Sequence, residues 1–137
     1  MRAILLMLGL SLTAGHGAAG AQTPPVERSV NAVPNKDTRI GVYFNVLPDC
    51  SSGPLPTIRL ATPPVSGKVT VKSAKMKATN YKSCLALEAT AYVAFYRSPA
   101  DFLGDDVLIL EIKYADGRTE IQKITVKVAG VGAQQKI

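Results

Sequence analysis

The chain has 137 residues, with 16 Lys and Arg against 10 Asp and Glu and a single histidine, His16. That length holds one domain, which excludes a two-domain enzyme with its own cofactor module. A hydrophobic content of 47% excludes a disordered chain, and a net charge of +6 points to anionic rather than basic partners.

At the N-terminus, Arg2 precedes an apolar run from Ile4 to Leu12, and small residues lead to Ala19-Gly20-Ala21 before Gln22. This is the order of an export signal cut after Ala21, and the run is shorter than the roughly 20 apolar residues of a membrane span. Residues 1–21 are therefore expected to be a signal peptide, and the mature chain to lie in the periplasm or outside the cell with no transmembrane segment. Losing that segment removes Arg2 and His16, so the net charge falls from +6 to +5 and no imidazole remains. Ser-His-Asp and Cys-His catalysis need an imidazole base, and zinc or copper sites need histidines or several thiolates. The expectation is a protein that is not an enzyme and carries no cofactor.

The mature chain begins with residues 22–33, a polar, proline-containing leader that runs into a first candidate strand, Val26–Val33. Further runs of β-branched and apolar residues predict strands over Arg39–Val46, Thr57–Ala61, Lys68–Lys72, Leu85–Tyr96, Val107–Tyr114 and Thr119–Val128. Turn signals separate them at Pro34-Asn35-Lys36-Asp37, Pro48 to Pro56, Pro63-Pro64, Ser98-Pro99 and Asp116-Gly117. Alanines between Leu85 and Ala94 would permit a helix, but Thr90, Tyr92, Val93 and Phe95 favour a strand, either continuous, bulged or split in two. About seven short strands without an amphipathic helix predict one all-β sandwich over residues 34–129, followed by a flexible tail, 130–137. Cys50 and Cys84 are the only cysteines, and in an oxidising compartment they are expected to pair. Such a bridge closes a loop of about 35 residues and stabilises by about 3 to 4 kcal/mol.

The last hairpin carries a test of register. A two-residue Asp116-Gly117 loop would set Leu110 opposite Lys123 and mix charge into the apolar face. A three-residue loop, with Gly117 as a left-handed bulge, pairs Tyr114 with Arg118 and sets Leu108 opposite Ile124 and Leu110 opposite Gln122. One residue of slip flips every side chain, so the apolar face of Leu108, Leu110, Ile112, Val126 and Val128 selects the odd-length loop.

Three short motifs carry a resemblance. They are Pro64-Val65-Ser66-Gly67-Lys68-Val69-Thr70-Val71, then Phe102-Leu103-Gly104-Asp105-Asp106, and finally Asp116-Gly117 with the closing run Ile124-Thr125-Val126-Lys127-Val128. From Ile40 to Val128 the chain resembles the bacterial immunoglobulin-like, cadherin-like repeat domains of secreted and surface proteins. The resemblance implies an immunoglobulin-like β-sandwich, here in a single copy, which fits a binding or accessory module better than a fibre. Members of that family often carry an acidic stretch that binds calcium between repeats. The corresponding residues here, Asn45-Val46-Leu47-Pro48-Asp49-Cys50, offer one carboxylate, whereas a hard cation needs several oxygen ligands.

Lys68, Lys72, Lys75, Lys77 and Lys82 follow one another with no acidic residue between them, and Tyr81 lies in the same stretch. This is the candidate polyanion-binding segment, with an anionic polysaccharide or another anionic envelope component as partner and no sequence-specific nucleic acid recognition. The same lysines would also suit an edge strand guarded against sheet-to-sheet pairing. Asp101, Asp105 and Asp106 are weak candidates for a metal site, and with Asp116 they equally suit turn chemistry around Gly104 and Gly117. Ser51, Ser52, Ser66 and Ser73, with Lys68 or Lys75 as a base, form no recognised nucleophile motif. Alternation predicts that Tyr43 and Phe44 face opposite ways, as do Phe95 and Tyr96, with one of each pair in the core. The functional expectation is a small exported binding module engaging an anionic envelope polymer through the lysine-rich strand. The alternatives are an accessory subunit that adds its edge strands to an envelope protein, and a hydrolase inhibitor.

Overall fold

The computed structural model describes residue 15 and residues 24–131. The expected signal peptide, Gly15 apart, lies outside the described residues, as do residues 132–137 of the expected tail. Among the described residues seven strands form in chain order: β1 (Val26–Ala32), β2 (Thr38–Tyr43), β3 (Thr57–Thr62), β4 (Lys68–Tyr81), β5 (Cys84–Arg97), β6 (Gly104–Lys113) and β7 (Thr119–Val128). One sheet has the order β1-β7-β6-β3 and the other β2-β5-β4. All neighbours are antiparallel except β1 and β7, which run parallel. The protein is an all-β sandwich with one disulfide, Cys50–Cys84.

The core forms where the alternating apolar faces of the two sheets meet. Leu108, Leu110 and Ile112 of β6 and Ile124, Val126 and Val128 of β7 face Ile40, Tyr43, Ala94 and Tyr96 of the smaller sheet, all buried. The last hairpin has the odd-length loop that its apolar face demands. Leu108 pairs with Ile124 and Leu110 with Gln122, and the Tyr114 N–H donates to the Arg118 carbonyl at 2.8 Å. Gly117 closes that turn at φ 92°, a region that a Cβ disfavours.

Three element boundaries differ from the sequence expectation by more than one residue. β2 ends at Tyr43 rather than Val46, because beyond it the chain leaves the sheet and returns through an isolated Val46–Ser52 bridge. β6 starts at Gly104, so Asp105 and Asp106 lie on a strand and not in a turn. The largest difference is β4, which runs on past Lys72 to Tyr81 and pairs with β5 in unbroken register. Ala74, Lys75, Lys77, Ala78 and Asn80 give this stretch little intrinsic strand preference. It is held extended by β5 and by the chain segment packed on it. β5 itself is one continuous strand; the register shift in this sheet lies in β2, between Arg39 and Gly41.

Tyrosine hydroxyls from the smaller sheet tie the two layers together. The Tyr43 hydroxyl donates to Gln122 Oε1 at 2.7 Å, and the Tyr96 hydroxyl donates to Asp106 Oδ2 at 2.6 Å. Burial is the main cause that lifts the Tyr43 phenol to about 12. Of the two neighbouring aromatics, Phe44 and Phe95 are only partly buried while Tyr43 and Tyr96 are core, as alternation requires.

Candidate interaction surface

The β4–β5 hairpin outruns the sandwich. β2 pairs with β5 only over Tyr92–Tyr96, and the rest of the hairpin extends beyond that contact as an arm. Along the arm the chain after β2 takes the place of a neighbouring strand, and Ser52 Oγ accepts the Thr90 N–H at 3.2 Å. A second, smaller core forms there from Cys84, Leu87 and Ala89, with Val46, Cys50, Met76, Ala78 and Tyr81 packed on it. The disulfide fastens the loop to the arm close to its end. Cys50 sits at φ 67°, a left-handed conformation worth about 1 to 2 kcal/mol of strain in an L-residue, and its N–H donates to the Leu47 carbonyl at 2.9 Å.

All five lysines lie on this arm or where it joins the sandwich, and β4 is an edge strand of its sheet. They do not share one face. Lys68 and Lys72 pair with Arg97 and Val93 and lie on the same side, as their even spacing requires. Lys75 and Lys77 pair with Thr90 and Glu88, and alternation turns them to the opposite side. Lys82 stands in the two-residue turn after Tyr81, at φ 51°. Glu88 is the one carboxylate between Lys68 and Arg97, and Lys75 Nζ lies 3.7 Å from it in an exposed pair. Such a pair is worth little in water, so the arm keeps a net positive charge.

Tyr81 is not a free platform beside these lysines. Its ring meets Phe44 at 5.5 Å between centroids, in the small core of the arm, and Lys82 Nζ lies 5.4 Å from its centre. Lys72 Nζ sits 5.5 Å from the Phe95 ring centre on the outer face of the sheet. Beside it lies a shallow groove of about 530 Å³, lined by Arg39, Val42, Ala74, Met76, Val93 and Phe95 among others.

The aspartates separate into different tasks. Asp116 makes turn chemistry, accepting the Arg118 N–H at 2.9 Å, and that hydrogen bond is the leading cause of its lowered carboxyl pKa. Asp101 and Asp105 are exposed. Asp106 is neither a turn residue nor a free ligand. It is 3% exposed, and its two oxygens accept the N–H groups of Val65, Ser66 and Gly67 at 2.9, 3.2 and 2.8 Å as well as the Tyr96 hydroxyl. Burial pushes its carboxyl pKa up, but these four donors pull it down further, and the net position is below the usual range. The backbone must come close for this latch to form. A Cβ on Gly67 would stand 2.3 Å from the Tyr96 ring, so only glycine fits there. Among the described residues, no three His, Cys, Asp or Glu side chains gather to hold a metal ion. No helix among them is long and apolar enough to cross a membrane.

No family model matches the chain, and no curated protein does. A solved structure, the solution structure of amebosin, aligns with 77% of this chain and 100% of its own at 10% identity, with a TM-score of 0.45.

Proposed function

We propose that the protein is an exported, non-catalytic interaction module of immunoglobulin-like architecture that engages an anionic envelope polymer through the lysine-rich β4–β5 hairpin. The immunoglobulin-like part of this reading is supported by strand order. β2, β5 and β4 hold the places of strands B, E and D, and β3, β6 and β7 those of C, F and G. It is supported again by Asp106 and Gly67, which bring the Phe-x-Gly-x-Asp and Pro-x-x-Gly-x-Val stretches into one hydrogen-bonded latch.

The observation that carries the functional reading is charge concentration on one projecting edge strand. An edge strand shows the side chains of both its faces along its rim, so a linear polyanion following β4 meets lysines from either side. From Lys68 to Lys82 that rim is about 46 Å long at about 3.3 Å per residue. The accessory-subunit alternative has less support, because lysines on β4 and the register shift in β2 are devices that blunt edges against strand addition.

The test is retention of residues 22–137 on immobilised heparin across a salt series. A lysine near an anionic surface contributes about 1 kcal/mol. Replacing Lys72, Lys75 and Lys77 together with Ala is therefore expected to weaken binding on the order of 100-fold at low salt. Equal retention of variant and wild type would reduce the lysines to edge protection.

A further inference from the structure

The end of the arm combines charge with apolar exposure in a way that a soluble polyanion does not use. Leu85, the residue after the disulfide cysteine, is 82% exposed at the closed end of the hairpin. Leu47 is 40% exposed in the turn that Cys50 closes, so the disulfide brings this second leucine's loop to the same end. Lys82 occupies the turn itself and Lys77 lies five residues back along β4. A polysaccharide or nucleic acid strand offers lysines their counter-charge but gives Leu85 little to bury against. A bilayer interface of anionic lipids offers both, with acyl chains for the leucines and phosphates for the flanking ammonium groups.

We infer that the end of the β4–β5 hairpin is a docking point for an anionic lipid bilayer, with Leu85 and Leu47 entering the interface and Lys77 and Lys82 pairing with headgroup phosphates. The fold suits this geometry. The disulfide and the small core behind it hold two loops as one rigid end, so little chain entropy is lost on contact. Tip-first contact also sorts the lysines. Lys68 and Lys72 lie 14 and 10 residues from Lys82, about 46 and 33 Å along the strand, which is several screening lengths at physiological salt.

The experiment is co-sedimentation of residues 22–137, which contain all seven strands and the disulfide, with vesicles of 30% phosphatidylglycerol in phosphatidylcholine. Heparin retention of the same proteins is measured in parallel. Leu85→Ser is expected to weaken vesicle binding about tenfold and leave heparin retention unchanged. The pair Lys77→Ala and Lys82→Ala is expected to weaken vesicle binding similarly, while Lys68→Ala with Lys72→Ala does not. The chain has no tryptophan, so Leu85→Trp adds a direct reporter whose emission shifts to the blue on these vesicles. Wild-type vesicle binding by Leu85→Ser, or an unshifted Leu85→Trp spectrum, would overturn the inference. Neither result touches the heparin arm, so the polymer-binding reading stands or falls separately.

Discussion

Asp106→Ala is expected to destabilise the sandwich by about 3 kcal/mol or more. The substitution strands four donors, the N–H groups of Val65, Ser66 and Gly67 and the Tyr96 hydroxyl. The Tyr96 hydroxyl is buried and the three N–H groups part-buried, and a fully buried group left without a partner costs about 1 to 3 kcal/mol. The loss would be read as a shift of the denaturant midpoint at unchanged slope. Asp106 also sets a pH dependence. Its folded carboxyl lies below the usual range, so its contribution is complete above about pH 4, the unfolded aspartate value. It is lost as pH falls through the lower folded value. Wild-type stability should therefore drop below about pH 4, and Asp106→Asn should show a flatter profile there. A variant with the wild-type acid slope would remove Asp106 from the account.

Removing the disulfide is expected to cost a similar amount. Cys50 and Cys84 are 34 residues apart, and cross-linking a loop of that length stabilises by about 3 to 4 kcal/mol in the chain-entropy picture. For a domain of this size that corresponds to a Tm lower by on the order of 15 °C in the Cys50→Ser, Cys84→Ser protein. The effect should also be local. The small core of the arm rests on Cys84, Leu87 and Ala89, so amide exchange should rise first over residues 76–90 and the 44–53 loop. Protection of β6 and β7 should change last. A uniform rise across all seven strands would show that the arm is not a separately closing unit.

The larger sheet was legible because its strands obey the simplest pattern. β6 from Asp106 to Ile112 and β7 from Gln122 to Val128 alternate buried residues with more exposed ones, and the odd-length turn at Gly117 follows from keeping Leu108 and Leu110 on one face. The disulfide needed only a count of two. The arm was not legible in full. Its second half has alanines and polar residues where a strand usually has β-branched ones, and what keeps it extended is a loop some 30 residues earlier in the chain. The lysines were visible as a run, but their division between two faces depends on the unbroken β4–β5 register, whose turn-closing pair, Tyr81 with Cys84, lies nine residues beyond the expected end of the strand. Asp106 illustrates the same limit. Both stretches that meet in its latch stand out in the sequence, yet a carboxylate about 40 residues from its backbone donors reads locally as turn chemistry. Leu85 and Leu47 carried no signal at all, since an isolated leucine in a strand or loop is expected to be buried.

The parallel pairing of β1 with β7 has a mechanical consequence. The chain enters β1 at Val26, opposite Gln122, and leaves β7 at Val128, opposite Ala32. The points of entry and exit therefore lie at opposite ends of the paired segment. A pull along the chain loads the rungs between β1 and β7 side by side, in shear, so that they must fail together. A pull between residue 24 and the hairpin turn at Lys82 loads other contacts, and single-molecule extension in the two directions should give clearly different peak forces. Under tension from end to end, the first strand becomes the fastening that the rest of the sandwich depends on.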